Sequence, residues 1–374
     1  MQQGHRHSVI FVESRTDFTE QLKAAIDDED RILVVASERA RNSGAIPRRV
    51  FAGRFVRWFT DFSSNPNLAS ACEAAALVSE FRPSVIVGLG GGSAMDVAKA
   101  ARVLPPDIAA ALEMVRSGVS PRQIQGWGGG SKVVVIPTLA GSGAEVTQFA
   151  AVFHDGQKLS VDDAAVRPDI AIIDPRLAAT APHLPTSAAT LDAFCHAVES
   201  AWSRSTTAAS REHSERALQQ LAAVEWKRDG AYGLGDRYRM AAGAVSAGLA
   251  INITRTTAAH ACAYMLTVCY GIPHGVACAL NMQWVARTNA VASVIEPEAV
   301  AVIEGSLGVA TTELPEYFRD RLSSAGWPTN LGDYGVDRKD VPTVAADATR
   351  QARLRNNPVD LTTADVEYGL STIF

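Results

Sequence analysis

With 374 residues the chain is too long for one ordinary domain of roughly 150 residues, and two or three are expected. An apolar content of 47%, a charged content of 20% and 28 Gly with 17 Pro exclude a disordered or coiled-coil chain and leave a compact fold with a buried core. The balance of 40 acidic against 35 basic residues, a net charge of −5, excludes a large positive field for nucleic acid or an anionic membrane, so any anionic ligand must meet a local basic pocket.

The opening MQQGHRHSVIFVES has too short an apolar stretch for a signal peptide, and no apolar run reaches the roughly 18 residues of a membrane span, so a cytoplasmic protein is expected. Four β-branched runs follow: RILVVAS (Arg31 to Ser37), SVIVGLGGGS (Ser84 to Ser93), KVVVIPT (Lys132 to Thr138) and DIAIIDP (Asp169 to Pro175). Near-continuous Val/Ile runs separated by alanine-rich stretches such as NLASACEAAALVSEF predict strands buried on both faces, hence a parallel sheet with crossover helices. After Pro185 the segments TSAATLDAFCHAVESAWS, SREHSERALQQLAAVEW and YRMAAGAVSAGLAINI carry helical spacing, and no clear strand run follows. The expected organisation is an α/β domain over residues 1–180 and an all-α domain over 181–374, with the boundary in the Pro-containing stretch from Asp174 to Pro185.

In VIVGLGGGSAMDVAKA, the residues Gly88, Gly90, Gly91, Gly92 and Ser93 stand between a predicted strand and a predicted helix. Glycines let backbone N–H groups approach a phosphate, and a helix N-terminus carries about half a positive charge. The spacing is neither G-x-G-x-x-G nor a P-loop, so pyrophosphate binding and a tight structural turn both remain readings of the glycines alone. IPTLAGSGAEVT (Ile136 to Thr147) is a second polar glycine turn after a strand; two such turns can clamp a dinucleotide, or be ordinary loops.

Only eight histidines are present. In LDAFCHAVES, Asp192 and His196 are four residues apart and share one helix face, and His260 and His274 follow in the apolar TTAAHACAYMLTVCYGIPHGVACAL. Gly271, Ile272 and Pro273 should divide the last two between separate helices, with His274 at the start of the later one. Three imidazoles and a carboxylate suit Fe²⁺ or Zn²⁺, although a histidine in an alanine-rich helix can equally be a satisfied core residue. Cys195 projects about 100° away from His196 and is read as packing. The five cysteines, Cys72, Cys195, Cys262, Cys269 and Cys278, contain no C-x-x-C pair and are expected to be reduced thiols. His5, His7, His154, His183 and His213 are read as solvated.

Taken together, GGGSAMDVAK, PTLAGSGAEVT and the Asp192, His196, His260, His274 series resemble the iron-containing (group III) alcohol dehydrogenase family over nearly the whole chain, up to the closing NNPVDLTTADV. The resemblance implies an N-terminal domain that binds NAD(P), a helical C-terminal domain that holds a metal, an active site in the cleft between them, and a homodimer. It implies Asp192, His196, His260 and His274 as the ligands of Fe²⁺ or Zn²⁺. It also implies Gly90, Gly91, Gly92 and Ser93 around the pyrophosphate with Asp96 nearby. Thr138, Leu139, Ser142 and Lys158 would line the adenosine and nicotinamide side, and Asn65 would approach the cofactor. DFSSNPNLASA, ESAWS-R-STTAASR, INITRTTAAHACAYMLT, YGIPHGVACAL and RNNP-x-x-LT are similar to the phosphonoacetaldehyde reductases of that family, which implies a small phosphonate-bearing aldehyde, reduced with NAD(P)H, as substrate.

Two positions depart from the family pattern. Ser37, followed by Glu38, Arg39 and Arg41, stands where many members carry a ribose-binding carboxylate, so NADPH is tolerated and the choice of cofactor is open. Tyr264 stands one turn after His260, where many members carry a second histidine; its phenol would donate or relay a proton, or simply pack. Arg255 sits about 140° around an ideal helix from His260 and is read as a rim or structural residue rather than a phosphonate clamp. The competing readings are a dehydroquinate synthase-like cyclase, disfavoured by the Asp/His/His/His set and a lysine-poor C-terminal half, and a non-catalytic nucleotide-binding protein.

Overall fold

The computed structural model describes residues 7–27, 30–120, 130–229 and 231–374. Its chain divides into two compact units: residues up to Leu139 with Ala144–Ala178, and Ala140–Gly143 with Ala179–Phe374. The segment 140–143 thus belongs with the helical unit, where the sequence reading places it in the α/β domain. A Cβ on Gly141 would meet the Ala189 carbonyl oxygen at 2.4 Å, so this short excursion is packed against helical backbone at a distance only glycine allows.

The first unit contains β1 (Ser8–Phe11), α1 (Arg15–Ala25), β2 (Arg31–Ala36), α2 (Glu38–Asn42), β3 (Phe55–Phe59), α3 (Leu68–Phe81), β4 (Val85–Gly90), α4 (Gly92–Val103), α5 (Ile108–Ser117), β5 (Lys132–Pro137), β6 (Phe149–His154), β7 (Gln157–Asp162) and β8 (Ile170–Ile173). Six strands form a sheet in the order β1-β8-β5-β4-β2-β3, with every pair parallel. The central strands are buried throughout, as their continuous Val/Ile runs require. Consecutive strands β3 and β4 lie on opposite sides of β2, so the strand order reverses between β2 and β4, and ligands of open α/β sheets bind beyond the carboxyl ends of strands at such a point.

Strands β1 and β3 and the β6–β7 hairpin are absent from the sequence reading. β1 has only four residues, and the edge strand β3, FVRWF, alternates exposed and partly buried positions around a charge. The hairpin does carry a local signal: Asp155 (φ 48°) and Gly156 (φ 73°) form a two-residue turn with positive φ at both positions, the Asp-Gly preference of tight hairpins.

The second unit is helical: α6 (His183–Trp202), α7 (Ala208–Ala222), α8 (Leu234–Thr254), α9 (Ala258–Tyr270), α10 (His274–Val291), α11 (Pro297–Leu307), α12 (Leu314–Ser324), α13 (Val341–Arg350) and α14 (Thr363–Ser371). α6 packs against α7, α8 and α10, and α10 also packs against α9 and α12, around a core that includes Leu191, Phe194, Val198, Leu280, Trp284 and Phe318. The Gly271-Ile272-Pro273 break works as the sequence predicts: Gly271 closes α9 at φ 68° and Pro273 sets the entry into α10. No helix among the described residues is long and apolar enough to cross a membrane.

Candidate functional site

In the first unit the glycine-rich turn lies at the end of β4, beside the strand-order reversal. Gly90 adopts φ 151°, and a Cβ there would stand 2.8 Å from that of Ala94, so the sharp passage from strand to helix requires glycine. Gly91 is the N-cap of α4 and offers no side-chain oxygen to the first-turn amides, which leaves those N–H groups aimed at whatever lies before the helix, the arrangement that accepts a phosphate. The Thr138 N–H donates to the Gly90 carbonyl at 2.9 Å, and Leu139 flanks Gly91, so the end of β5 forms a second wall.

Ser93 donates its hydroxyl to the Ser64 carbonyl at 2.6 Å, and the Phe153 N–H donates to the Pro66 carbonyl at 2.9 Å, so the exposed Asn65 is suspended between α4 and β6. Lys158 pairs across the hairpin with Phe153. Asn65, Ser93 and Lys158 are therefore attached to one connected patch of this unit. Ser142 falls in the other unit, within 140–143.

Asp96 differs from the implied role beside the pyrophosphate, because its carboxylate is engaged by the fold. Oδ1 accepts from Lys99 Nζ at 3.1 Å and Oδ2 from the Ala151 N–H at 3.1 Å. Lys99 is fully buried and also donates to the Ala144 carbonyl, Thr147 Oγ1 and the Phe149 carbonyl at 3.0, 3.3 and 2.6 Å. Burial lowers the Lys99 pKa while Asp96 opposes it, and burial pushes the neighbouring Glu145 up to about 7. Ser37 is an N-cap, its hydroxyl accepting from the Ala40 N–H at 3.2 Å, and Arg41 pairs with Glu38 at 3.3 Å.

The second unit brings the acid and imidazole groups together. His260 Nε2 is 3.2 Å from Asp192 Oδ1, and His196 Nε2 is 3.8 Å from the same oxygen. The His196 ring stacks on His260 at 4.5 Å between centroids and 16° between planes, whereas His274 meets His260 edge-on at 5.4 Å and 73°. Two features deliver His274 to this place: the helix starts at His274, and Gly275 follows it. A Cβ on Gly275 would stand 2.0 Å from the Ala188 carbonyl oxygen and 2.8 Å from the Asp192 Cβ, so any larger residue would push α10 off α6.

Glu199, buried one turn after His196, bonds His260 Nδ1 through Oε2. Its other oxygen accepts from Thr257 Oγ1 at 2.7 Å and from the Ala259 and His260 N–H groups at 2.8 and 3.3 Å, so it caps α9 from another helix. The bond fixes the tautomer and leaves His260 Nε2 facing Asp192, the carboxylate–histidine support common behind metal ligands. Thr267 Oγ1 lies 3.5 Å from His274 Nδ1 in the corresponding position.

Burial alone would raise Asp192 and Glu199 and lower His260. The imidazoles instead hold both carboxyls below their ordinary range, and Cys278, Glu199 and Asp192 hold His260 well above its own. Two buried carboxylates converging on imidazoles make a place built to hold positive charge, as imidazolium or as a divalent ion, so the donor set fits a metal.

Tyr264, nearly buried, stacks on His274 at 5.6 Å and 8°, with the Arg353 guanidinium 5.9 Å from its ring centre. Arg255 donates to the Ile251 and Asn252 carbonyls at 3.5 and 2.5 Å, at the end of its own helix. Of the histidines read as solvated, His7 bonds the Pro168 carbonyl at 2.8 Å and His183 bonds the Ala325 carbonyl at 3.1 Å and stacks on Tyr232, so both are pinned; His5 lies outside the described residues.

Glu199 and Cys278 are the site-lining residues that sequence reasoning passes over. Both carry a readable signal, since Asp192, His196 and Glu199 follow i, i+4, i+7 on α6, and Cys278 lies one turn after His274 on α10.

A parallel α/β unit with a phosphate-accepting turn at its strand reversal, in one chain with a helical unit holding a buried carboxylate–imidazole cage, defines a two-part class of protein. The family model for iron-containing alcohol dehydrogenase matches residues 9–175, and the model for the C-terminal part of Fe-containing alcohol dehydrogenases matches residues 186–374. The chain belongs to the iron-containing alcohol dehydrogenase family. It is 32% identical over 227 residues to phosphonoacetaldehyde reductase of Streptomyces viridochromogenes, an alignment covering 59% of this chain and 57% of that one, so the match spans little more than half of that relative. It is 27% identical to sulfoacetaldehyde reductase of Bilophila wadsworthia over 86% of this chain and 82% of that one. Among solved structures, sulfoacetaldehyde reductase of Bifidobacterium kashiwanohense in complex with NAD+ shares the fold, with a TM-score of 0.83, 24% identity, and coverage of 98% of this chain and 96% of that one.

Proposed function

We propose that the protein is a metal-dependent NAD(P)H aldehyde reductase whose preferred substrate is phosphonoacetaldehyde, reduced to 2-hydroxyethylphosphonate. The observation that carries the reading is the buried cage in which Glu199 fixes His260 against Asp192, with His196 and His274 in ring contact. Asp192, His196, His260 and His274 would hold the ion. When bound, a divalent ion supplies Lewis-acid polarisation of the aldehyde carbonyl and a reduced nicotinamide supplies the hydride.

The chain contributes placement and a proton. The first-turn amides of α4 and the flanking Thr138 and Leu139 bind the pyrophosphate, while Asn65 and Lys158 stand on the connected patch beside them. Asp192 and Glu199 keep the cage negative enough to retain a cation. Tyr264, stacked on His274, holds a phenol next to the cage and donates the proton taken up by the product oxygen. A serine at position 37 presents no carboxylate to a ribose 2′-phosphate, so both NADH and NADPH are accepted.

Likeness to two reductases named for two-carbon aldehydes with an anionic head supports the substrate class, the alignment with the phosphonoacetaldehyde enzyme being the more identical. The test is kcat/KM for phosphonoacetaldehyde, sulfoacetaldehyde and propionaldehyde with each reduced cofactor. Phosphonoacetaldehyde should be preferred over propionaldehyde by at least about a hundredfold, the value of one good charged contact. Equal rates would overturn the substrate assignment, and no oxidation of either cofactor with any aldehyde would overturn the reductase reading.

A further inference from the structure

We propose that Arg353 is the cation that recognises the phosphonate head of the substrate, set in place by Thr256 and the ring of Tyr264. The inference rests on the phosphonoacetaldehyde reading above and supplies the residue that reads the charged end of that molecule. Three stretches of the helical unit that the metal ligands do not account for, ESAWS-R-STTAASR, INITRTT and RNNP, meet at the turn 254–257 between α8 and α9. Asn356 Nδ2 donates to the Thr254 and Thr256 carbonyls at 3.3 and 3.1 Å, and its own backbone carbonyl accepts from the Arg204 N–H at 2.9 Å. Trp202 Nε1 donates to Thr257 Oγ1 at 3.2 Å. The short 3₁₀ turn Ala352–Asn356, which carries Arg353, packs on α9.

The turn is fixed in a conformation the chain would not choose by itself. Arg255 sits at φ 62° and ψ −176°, a region essentially restricted to glycine, and such strain persists only where the surroundings impose it, commonly at a ligand site. What the turn delivers is Thr256, 1% exposed, whose hydroxyl accepts from Arg353 Nη1 at 3.2 Å. The guanidinium carbon lies 5.9 Å from the centre of the Tyr264 ring, and the same ring stacks on His274 at 5.6 Å and 8°. Tyr264 therefore touches a group of the cage and Arg353 alike, and its i, i+4 spacing from His260 puts it on the cage side of α9. The hydroxyl and the aromatic face that flank the guanidinium are neutral, and Arg353 is half-buried, so its N–H fork is reachable yet sheltered from bulk water. A planar guanidinium matches phosphonate oxygens two at a time, a contact stronger than a neutral hydrogen bond. The neighbouring arginines are directed elsewhere: Arg255 donates to the Ile251 and Asn252 carbonyls, and Arg204 pairs with Asp360 at 2.8 Å. With its aldehyde at the cage, phosphonoacetaldehyde carries its head one methylene further out, over the Tyr264 ring and within reach of Arg353.

The test uses full-length, metal-loaded protein, with kcat/KM measured for phosphonoacetaldehyde and propionaldehyde in the wild type, Arg353→Met, Arg353→Lys and Thr256→Val at equal metal content, and with ethylphosphonate as an unreactive competitor. The ratio of the two kcat/KM values should fall about a hundredfold in Arg353→Met, about tenfold in Arg353→Lys, which keeps the charge without the fork, and about threefold in Thr256→Val. Ethylphosphonate should inhibit Arg353→Met correspondingly more weakly than it inhibits the wild type. A ratio that survives in Arg353→Met, whether both rates hold or both fall together, overturns the clamp and leaves the substrate reading standing. A wild-type enzyme with no preference for phosphonoacetaldehyde overturns the substrate reading, and the clamp with it. Should Arg353→Met fail to fold, an unchanged ratio in both Arg353→Lys and Thr256→Val overturns the clamp.

Discussion

Lys99 and His260 are both buried, charge-bearing side chains surrounded by acids, yet they are built for different ends. The Lys99 ammonium meets a carboxylate, a hydroxyl and two carbonyls, a complete set of acceptors supplied by α4 and the segment leading into β6. The second Asp96 oxygen is taken by the Ala151 N–H, and the role of the cluster is to fasten the helix that carries the glycine turn. Around His260 the hydrogen bonds lie behind the donors: Glu199 and Thr267 take the Nδ1 sides, and the remaining nitrogens, carboxylate and sulfur face one another. Saturation marks a brace, and convergence of supported donors marks a binding site.

The most severe way to break the brace is Lys99→Met, which leaves the half-buried Asp96 without its cation and should cost about 3 kcal/mol. It is read as lost protection of α4 amides to hydrogen exchange with the helical unit unaffected; unchanged protection would show that the cluster is incidental. Glu145 gives the same region a pH dependence. Its folded pKa of about 7 lies above the ordinary 4.5, so the folded state binds the extra proton between those values and stability falls as pH rises from about 4.5 to about 7, then levels off. The drop is on the order of 3 kcal/mol, and Glu145→Gln should abolish it, as measured by urea midpoints across that range. A wild-type midpoint that rises through the same window would contradict the assigned burial.

On the other side of the comparison, Glu199→Gln keeps the shape but removes the charge behind His260, and metal affinity should fall about 10–100-fold with the nicotinamide affinity unchanged. Equal metal retention would make Glu199 a helix cap and nothing more. The smallest effect is expected for Tyr264→Phe: kcat falls about tenfold at full metal content, because solvent can replace a phenol as proton donor. An unaltered kcat would leave Tyr264 as a packing residue against His274.

The parts of this molecule legible in its sequence are those set by local pattern. Continuous Val/Ile runs announce β2, β4, β5 and β8, and the Gly271-Ile272-Pro273 break separates His260 from His274 because backbone chemistry alone dictates it. The approach of the two histidines is a tertiary fact. It depends on Gly275 admitting α10 against the Ala188 carbonyl, a contact 87 residues away in sequence that no periodicity encodes. The same limit explains Asp96, whose place near the start of α4 puts it close to the glycine turn, while its partners Lys99 and Ala151 make it a brace. Cys278 reads as an ordinary core thiol until its helix is seen to turn it toward Asp192 and His260.

The central claim, that the cage of the helical unit holds a divalent ion needed for aldehyde reduction, is tested most directly by stripping the purified protein of metal and following oxidation of reduced nicotinamide by phosphonoacetaldehyde. The account predicts no turnover in the stripped protein, recovery at one Fe²⁺ or Zn²⁺ per chain, and no recovery in Asp192→Asn. Undiminished turnover in protein shown to carry no metal would contradict it.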